Sequence, residues 1–302
     1  MAEPPPSLRP HVPVLDRSPT ELQVGLDEGI VLPAQPEIRA ALAGLNGTRP
    51  LARVAQDSGL SRGQLVTLIG HLRTAGLLAE PVDVPRRLVR LLGAGVLARA
   101  FAEEYAASPP GELQVVDPGP PTPGLYVHPL PTAAETLRAH LRALGGQRIS
   151  TASHWYRPEG PTADITVIAF DRLECDRAIT DTLLRADQPH LFVRPLPDGA
   201  IVGPLVVPGS TCCTRCMDLV RTRDRAWPRL LAQLCLAECR PPQEVLRWAA
   251  ATAVLQVRAW LSGGQPEAVG STLEIRTDSW VIAQRHWPFH PDCGCSELQG
   301  SG

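Results

Sequence analysis

Apolar residues along this chain follow two different rhythms, and the change between them falls near residue 80. From 12 to 32, short β-prone runs (12–15, 21–24 and 29–32) are separated by Asp, Ser-Pro and Asp-Glu-Gly, which are turn signals. Small antiparallel strands are expected there. Three helices should follow. The first starts at Pro36, the first-turn position that proline tolerates, and stops near 45 at Asn46-Gly47. The second covers 50–57. The third opens at Ser61, where Ser-Arg-Gly-Gln64 has capping-box spacing, carries Leu65, Leu68, Ile69 and Leu72 on one face, and ends at Ala75-Gly76. Strands, three short helices and a Leu77-Leu78 edge describe a small winged-helix-like domain over 11–80. The proline-rich residues 1–10 read as a disordered tail.

Beyond 81–86, a linker, long apolar strands alternate with helices. Strands are expected over 87–92, 113–117, 163–170, 190–193 and 201–207. Helices are expected from about 98 to 107 and over 132–144, 177–186 and 243–261. A helical stretch should run from the cysteine pair at 213–216 to about 240, and 273–275 with 280–283 make a last hairpin. Such alternation predicts an α/β domain over 87–302, built on a mostly parallel, Rossmann-like sheet. Its first junction reads Gly93-Ala-Gly95-Val-Leu-Ala98. Small residues there permit a tight turn, the helix start favours a phosphate, and Asp117 falls about where a ribose-binding acid lies in a nucleotide-binding βαβ unit. Packing alone is the plainer role for the same glycines.

Eight cysteines in 302 residues do not describe a disulfide scaffold. Their placement does more. Cys213-Thr-Arg-Cys216 curls two sulfurs towards one point, and Cys293-Gly-Cys295 does the same at the end of a hairpin. Four thiolates would surround one ion, and all-sulfur tetrahedral coordination is the preference of structural zinc, with an iron centre as the lesser option. Reduced, buried cysteines are the bland alternative. Cys212 adjoins a ligand position, Cys235 and Cys239 lie four apart on a helix, and His290 is placed to orient a thiolate.

Charge narrows the partners. A formal net charge of −2 gives no general attraction to nucleic acid or to an anionic membrane. Between 35 and 80, five arginines meet three acids, a thin footprint for a DNA-binding winged helix. With no leader at the start and no apolar run of membrane-spanning length, a cytoplasmic location is expected. All 29 basic residues are arginine. Together with 32 prolines and abundant alanine, that bias points to GC-rich codons and a high-GC bacterium. It also removes every mechanism that needs a lysine.

The order of these parts (a nucleotide-type βαβ start, Ala169-Phe-Asp171, then Gly203-Pro-Leu-Val-Val-Pro-Gly leading into Cys213-x-x-Cys216, and a terminal cysteine pair) resembles the ThiF-type fold of ubiquitin-activating enzymes. Within it, Pro208-Gly-x-Thr-x-Cys213-x-x-Cys216-x-Asp218-Leu and Trp287-Pro-x-His-Pro-x-Cys-Gly-Cys295 are most similar to the TOMM precursor leader peptide-binding proteins. These are the ocin-ThiF-like, cyclodehydratase-partner proteins of azole-modified peptide biosynthesis. The resemblance spans essentially the whole chain, its N-terminal part having the shape of a RiPP recognition element.

That resemblance implies a division of labour. The leader of a ribosomally made precursor peptide would add as a strand beside Gly29, Ile30, Val31 and Leu32, with the third helix as the opposite wall and Arg62, Leu65, Ile69 and Arg73 as contacts. The ThiF-like part would dock a separate YcaO-type cyclodehydratase, which uses ATP to close thiazoline or oxazoline rings. A working adenylating enzyme would carry a lysine and an Asn-x-x-Arg-Gln run after the ribose acid, whereas Asp117 is followed by Pro-Gly-Pro-Pro-Thr-Pro-Gly. Gly93, Gly95, Asp117 and Asp171 therefore read as a vestigial nucleotide site, with Arg177 on its phosphate side. Neither ATP as a cofactor nor catalysis by this chain is expected. An active adenylyltransferase acting on a peptide or carrier-protein C-terminus and a winged-helix regulator stay as alternatives, and a homodimer is left open.

Overall fold

The structure, a computed structural model, describes residues 5–9, 12–26, 29–79, 87–107, 109, 111–117, 119, 132–155 and 162–296. It divides between 83 and 84 into two compact units. The expected linker at 81–86 lies outside the described residues.

The first unit contains β1 (Ser7–Leu8), β2 (Val14–Ser18), β3 (Glu21–Val24), β4 (Ile30–Pro33), α1 (Pro36–Gly44), α2 (Leu51–Ser58), α3 (Arg62–Thr74) and β5 (Leu78–Ala79). Strands β2, β3 and β4 form an antiparallel sheet in that order, so β4 is an edge strand among the described residues. The Ser61 capping box is present: its hydroxyl accepts from the Gln64 amide at 3.3 Å, and the Gln64 side chain accepts from the Ser61 amide at 2.9 Å. One correction concerns the tail. Ser7 and Leu8 pair with Ala79 and Leu78, and the Leu8 amide donates to the Leu45 carbonyl at 3.0 Å. Leu8 packs on the core formed by Leu22, Leu42, Val54, Leu65 and Leu72, a long-range contact that overrides the proline-rich composition around it. Residues 1–4 and 10 lie outside the described residues.

The second unit runs β6 (Leu88–Leu92), α4 (Val96–Ala107), β7 (Glu112–Val116), α5 (Ala133–Ala143), β8 (Ile149–Ala152), β9 (Ile165–Ala169), α6 (Arg177–Arg185), β10 (His190–Leu196), β11 (Gly199–Val206), α7 (Thr214–Arg221), α8 (Trp227–Leu234), α9 (Gln243–Leu261), β12 (Ser271–Arg276) and β13 (Ile282–His286). Its sheet has the order β13-β12-β11-β10-β9-β6-β7-β8. The pairs from β8 through β10 are parallel, and β11, β12 and β13 extend the sheet antiparallel. All five residues of β6 and all five of β9 are buried, as strands covered by helices on both faces must be. One apolar face packs on α4, α5 and α9, the other on α6. The chain turns back across β6 to β9, which puts a topological switch point at the C-terminal ends of those strands.

Three details differ from expectation. The strand β8 is too short and too polar to stand out in the sequence. The hairpin strand β13 begins at Ile282 rather than 280, because Trp280 adopts φ 55° in the turn. The stretch after Cys216 breaks into α7 and α8 across 222–226. Among the described residues no helix is long and apolar enough to cross a membrane.

His190 is wholly buried at the start of β10, where its Nδ1 donates to the Gln188 carbonyl at 2.9 Å and its Nε2 has no partner among the described residues. Burial pulls its pKa down to about 4. The folded state therefore refuses a proton that the unfolded chain accepts below about 6.5. The sign follows: stability is held above that value and is lost as pH falls towards 4, by about 3 kcal/mol in all. Urea midpoints measured between pH 7 and 4.5 are expected to fall more steeply in the wild type than in His190→Leu; equal slopes would remove His190 from the acid response.

Candidate functional site

The four cysteines reach one point from two distant segments. After β11, the Thr211 hydroxyl accepts from the Val207 amide at 2.9 Å and closes the turn that delivers Cys213, the N-cap residue of α7, with Cys216 one turn on. After β13, Trp287 is buried with its Nε1 donating to the Thr272 hydroxyl at 3.1 Å, and Gly294 takes φ 68°, turning Cys293 and Cys295 back towards α7. The sulfurs of Cys213 and Cys293 lie 3.5 Å apart, those of Cys216 and Cys295 3.4 Å, and those of Cys213 and Cys216 4.0 Å. All four are buried and within 4.8 Å of one another. Ligands at about 2.3 Å from a tetrahedral zinc would be about 3.8 Å apart, so the set is close enough to hold one metal ion. Burial first, and then the neighbouring sulfurs, push the Cys213 and Cys295 thiols up. For Cys216 burial also raises the pKa, but backbone hydrogen bonds from His290 and Cys213, joined by those of the Cys295 and Cys293 thiols, together outweigh it and the net shift is downwards. A divalent cation supplies the charge that four buried thiolates require.

The remaining candidates resolve individually. His290 acts through its backbone, whose amide donates to the Cys216 sulfur at 3.4 Å, while its Nδ1 accepts from the Asp292 amide at 3.2 Å. Cys212 stands outside the four-sulfur cluster, 3.9 Å from the Gly270 carbonyl, and Cys235 donates to the Cys175 carbonyl at 3.2 Å.

The switch point is where the nucleotide-type residues gather, and it is filled from within. Gly93 takes φ 112°, and a Cβ there would meet the Ala169 carbonyl oxygen at 2.5 Å. Asp117 accepts from the amides of Ala94 and Gly119, each at 2.9 Å. Asp171 accepts from the first two amides of α4, Val96 at 2.8 Å and Leu97 at 2.9 Å. A Cβ on Gly95 would lie 2.3 Å from that carboxylate. The helix N-terminus that would cradle a phosphate is thus capped by the chain's own Asp171. Burial raises the Asp171 pKa, with the two amides opposing it.

Arg177 does not stand on a phosphate side. It grips Asp218 through Nε at 2.6 Å and Nη2 at 2.9 Å, and reaches Glu174 at 3.0 Å. Glu174, 2% exposed, also receives Arg194 and, at 3.1 Å, Arg221. Arg221 lies between the rings of Trp227 and Trp287, 4.8 and 5.7 Å from their centroids. Sequence reasoning did not assemble this cluster. Its one legible trace is an arginine inside the apolar run of β10.

In the first unit, Gly29 and Ile30 are half-buried, Val31 is exposed and Leu32 is buried. Leu65 and Ile69, expected as peptide contacts, are core residues together with Leu68 and Leu72, because the apolar face of α3 is what the unit packs around. Arg62, Val66 and Arg73 are among the residues that α3 exposes.

No protein-family model matches the chain, and no curated protein matches its sequence. Solved structures do match. E. coli MccB with ATP aligns at a TM-score of 0.64 and 15% identity, covering 96% of this chain and 99% of that one. The microcin C7 biosynthetic enzyme MccB in complex with N-formylated MccA gives 0.62 at the same identity and coverage. The larger unit has a ThiF-type fold. A heterocyclase in complex with substrate and cofactor gives 0.65 at 17% identity, covering 97% of this chain but only 40% of that one. The ThiF-type frame explains why Gly93, Gly95, Asp117 and Asp171 converge: each follows a parallel strand at the switch point.

Proposed function

We propose that this chain captures the leader of a ribosomally made precursor peptide and presents it to a separate YcaO-type cyclodehydratase, without itself activating the peptide. The observation that carries the reading is the capping of α4 by Asp171, which occupies the amides a nucleotide phosphate would need. The match to 40% of a much longer heterocyclase supports a division in which ring closure belongs to another polypeptide. The edge strand β4, with Val31 exposed, is the kind of backbone that accepts an added strand. The four cysteines hold a structural zinc in this reading, and the residues before 80 form the recognition element.

A second reading has its own support. The chain coincides in length with MccB, one of whose structures holds ATP. An adenylyltransferase would show ATP–pyrophosphate exchange with the peptide alone.

Both readings are separated by purifying the tagged full-length chain from its native cytoplasm and reading proteins and peptides by mass spectrometry. Recovery of a YcaO-type protein and a short Cys/Ser/Thr-rich precursor, with no pyrophosphate exchange by the chain alone, is the expected result. Exchange by the chain alone on the recovered peptide would replace this reading with the second.

A further inference from the structure

Helix α8 is amphipathic, yet not one of its residues is buried. Trp227, Leu230, Leu231 and Leu234 follow the i, i+3, i+4, i+7 rhythm of a helix with something to pack on. Leu230 is nevertheless 42% exposed, and Leu236, just past the helix, is 74% exposed. Fraying does not account for this. Trp227 donates through Nε1 to Asp218 at 3.2 Å, and the stretch after the helix is tied down where the Leu173 and Glu174 amides donate to the Ala237 and Leu234 carbonyls at 3.1 and 3.3 Å. Trp227, Leu231 and Leu234 are half-buried on the inner side of the helix, so an ordered helix leaves Leu230, with Leu236 just beyond it, displayed to solvent.

Charge identifies what would cover it. Between 221 and 240 lie five arginines against Asp224 and Glu238, in a chain whose net charge is −2. Arg221 is engaged with Glu174, and Asp224 caps the Ala226 amide at 2.9 Å. Arg223, Arg225 and Arg229 are exposed and have no ion-pair partner among the described residues. A duplex phosphate backbone has no use for the leucines. An anionic bilayer takes up a helix whose apolar face is free, and most of that face of α8, at Trp227, Leu231 and Leu234, is already half-buried. A protein groove with an apolar floor and acidic rim satisfies both features, as in helix-in-groove recognition.

We propose that α8 and the turn at 222–226 are the docking surface for the cyclodehydratase partner, which presents an acidic-rimmed apolar groove to them. This rests on the function proposed above. The test compares the full-length wild type with Arg223→Glu/Arg225→Glu/Arg229→Glu and with Leu230→Gln/Leu236→Gln, all exposed positions, in the same purification from native cytoplasm. The wild type is expected to bring down the YcaO-type protein in a salt-sensitive manner, and each variant to lose about tenfold or more of it, with thermal melting and capture of the precursor unchanged. Equal recovery by wild type and variants overturns the docking surface and leaves the function standing. Absence of any YcaO-type protein from the wild-type sample overturns both. A photo-cross-linker at Leu236 that joins a second copy of this chain, or flotation of the purified protein with phosphatidylglycerol vesicles that the arginine variant abolishes, also overturns the assignment.

Discussion

Replacing Cys213 and Cys293 together by serine is expected to remove one equivalent of bound zinc and to lower the melting temperature of the protein by about 10 °C or more. The four sulfurs are the point at which the C-terminal segment after β13 meets α7 in the middle of the second unit. Tetrathiolate zinc is worth about 10 kcal/mol or more of apparent binding free energy in small zinc domains. Even half of that, at about 2–4 °C per kcal/mol for a domain of this size, gives a shift of that order. Packing of Trp287 against the same cluster would retain part of the contact, so a loosened terminus rather than global unfolding is the predicted state. Metal analysis and calorimetry on the same samples decide the matter. Less than about half an equivalent of metal in fresh wild-type protein, with an unchanged melting temperature in the variant, would show that the cysteines only pack.

Glu174→Ala is expected to destabilise the protein by about 3–5 kcal/mol, the range seen when one partner of a buried ion pair is removed. The carboxylate is 2% exposed and is shared by Arg177, Arg194 and Arg221. Arg194, 7% exposed, depends on it most, since burial already pulls that guanidinium down to about 9 and the nearby Arg221 charge adds to the effect. Arg177 is different. Burial opposes its charge, but the paired hydrogen bonds of Asp218 outweigh that and raise its pKa, so it should stay charged in the variant. Removing the second charge should therefore rescue the first loss: Glu174→Ala with Arg194→Leu is expected to recover a large part of the stability in urea unfolding. No rescue would mean that Glu174 matters for the position of α6 rather than for charge. Because α7 carries Cys216, Asp218 and Arg221, the zinc and carboxylate substitutions act on one helix, and their effects should not add.

The capping box at Ser61, the ends of α9 and the glycine turn after β6 are legible in the sequence because each is made by residues a few positions apart, where propensity and hydrogen bonding act locally. The cysteine pairs are legible for the same reason, each being a short turn whose chemistry demands a partner. The alternation of apolar strands and helices likewise determined the α/β class. Tertiary structure decided the rest. Only the approach of β9 to β6 brings Asp171 onto the amides of α4, so a junction that reads as a phosphate cradle turns out to be capped. Only the folded sheet gathers three arginines on Glu174. Which leucines of α3 face the core, whether Leu8 finds a strand to join, and that Leu230 of α8 is left exposed all depend on neighbours far along the chain. Periodicity identifies an apolar face, but the free energy that decides whether that face is covered belongs to surfaces the local pattern does not contain.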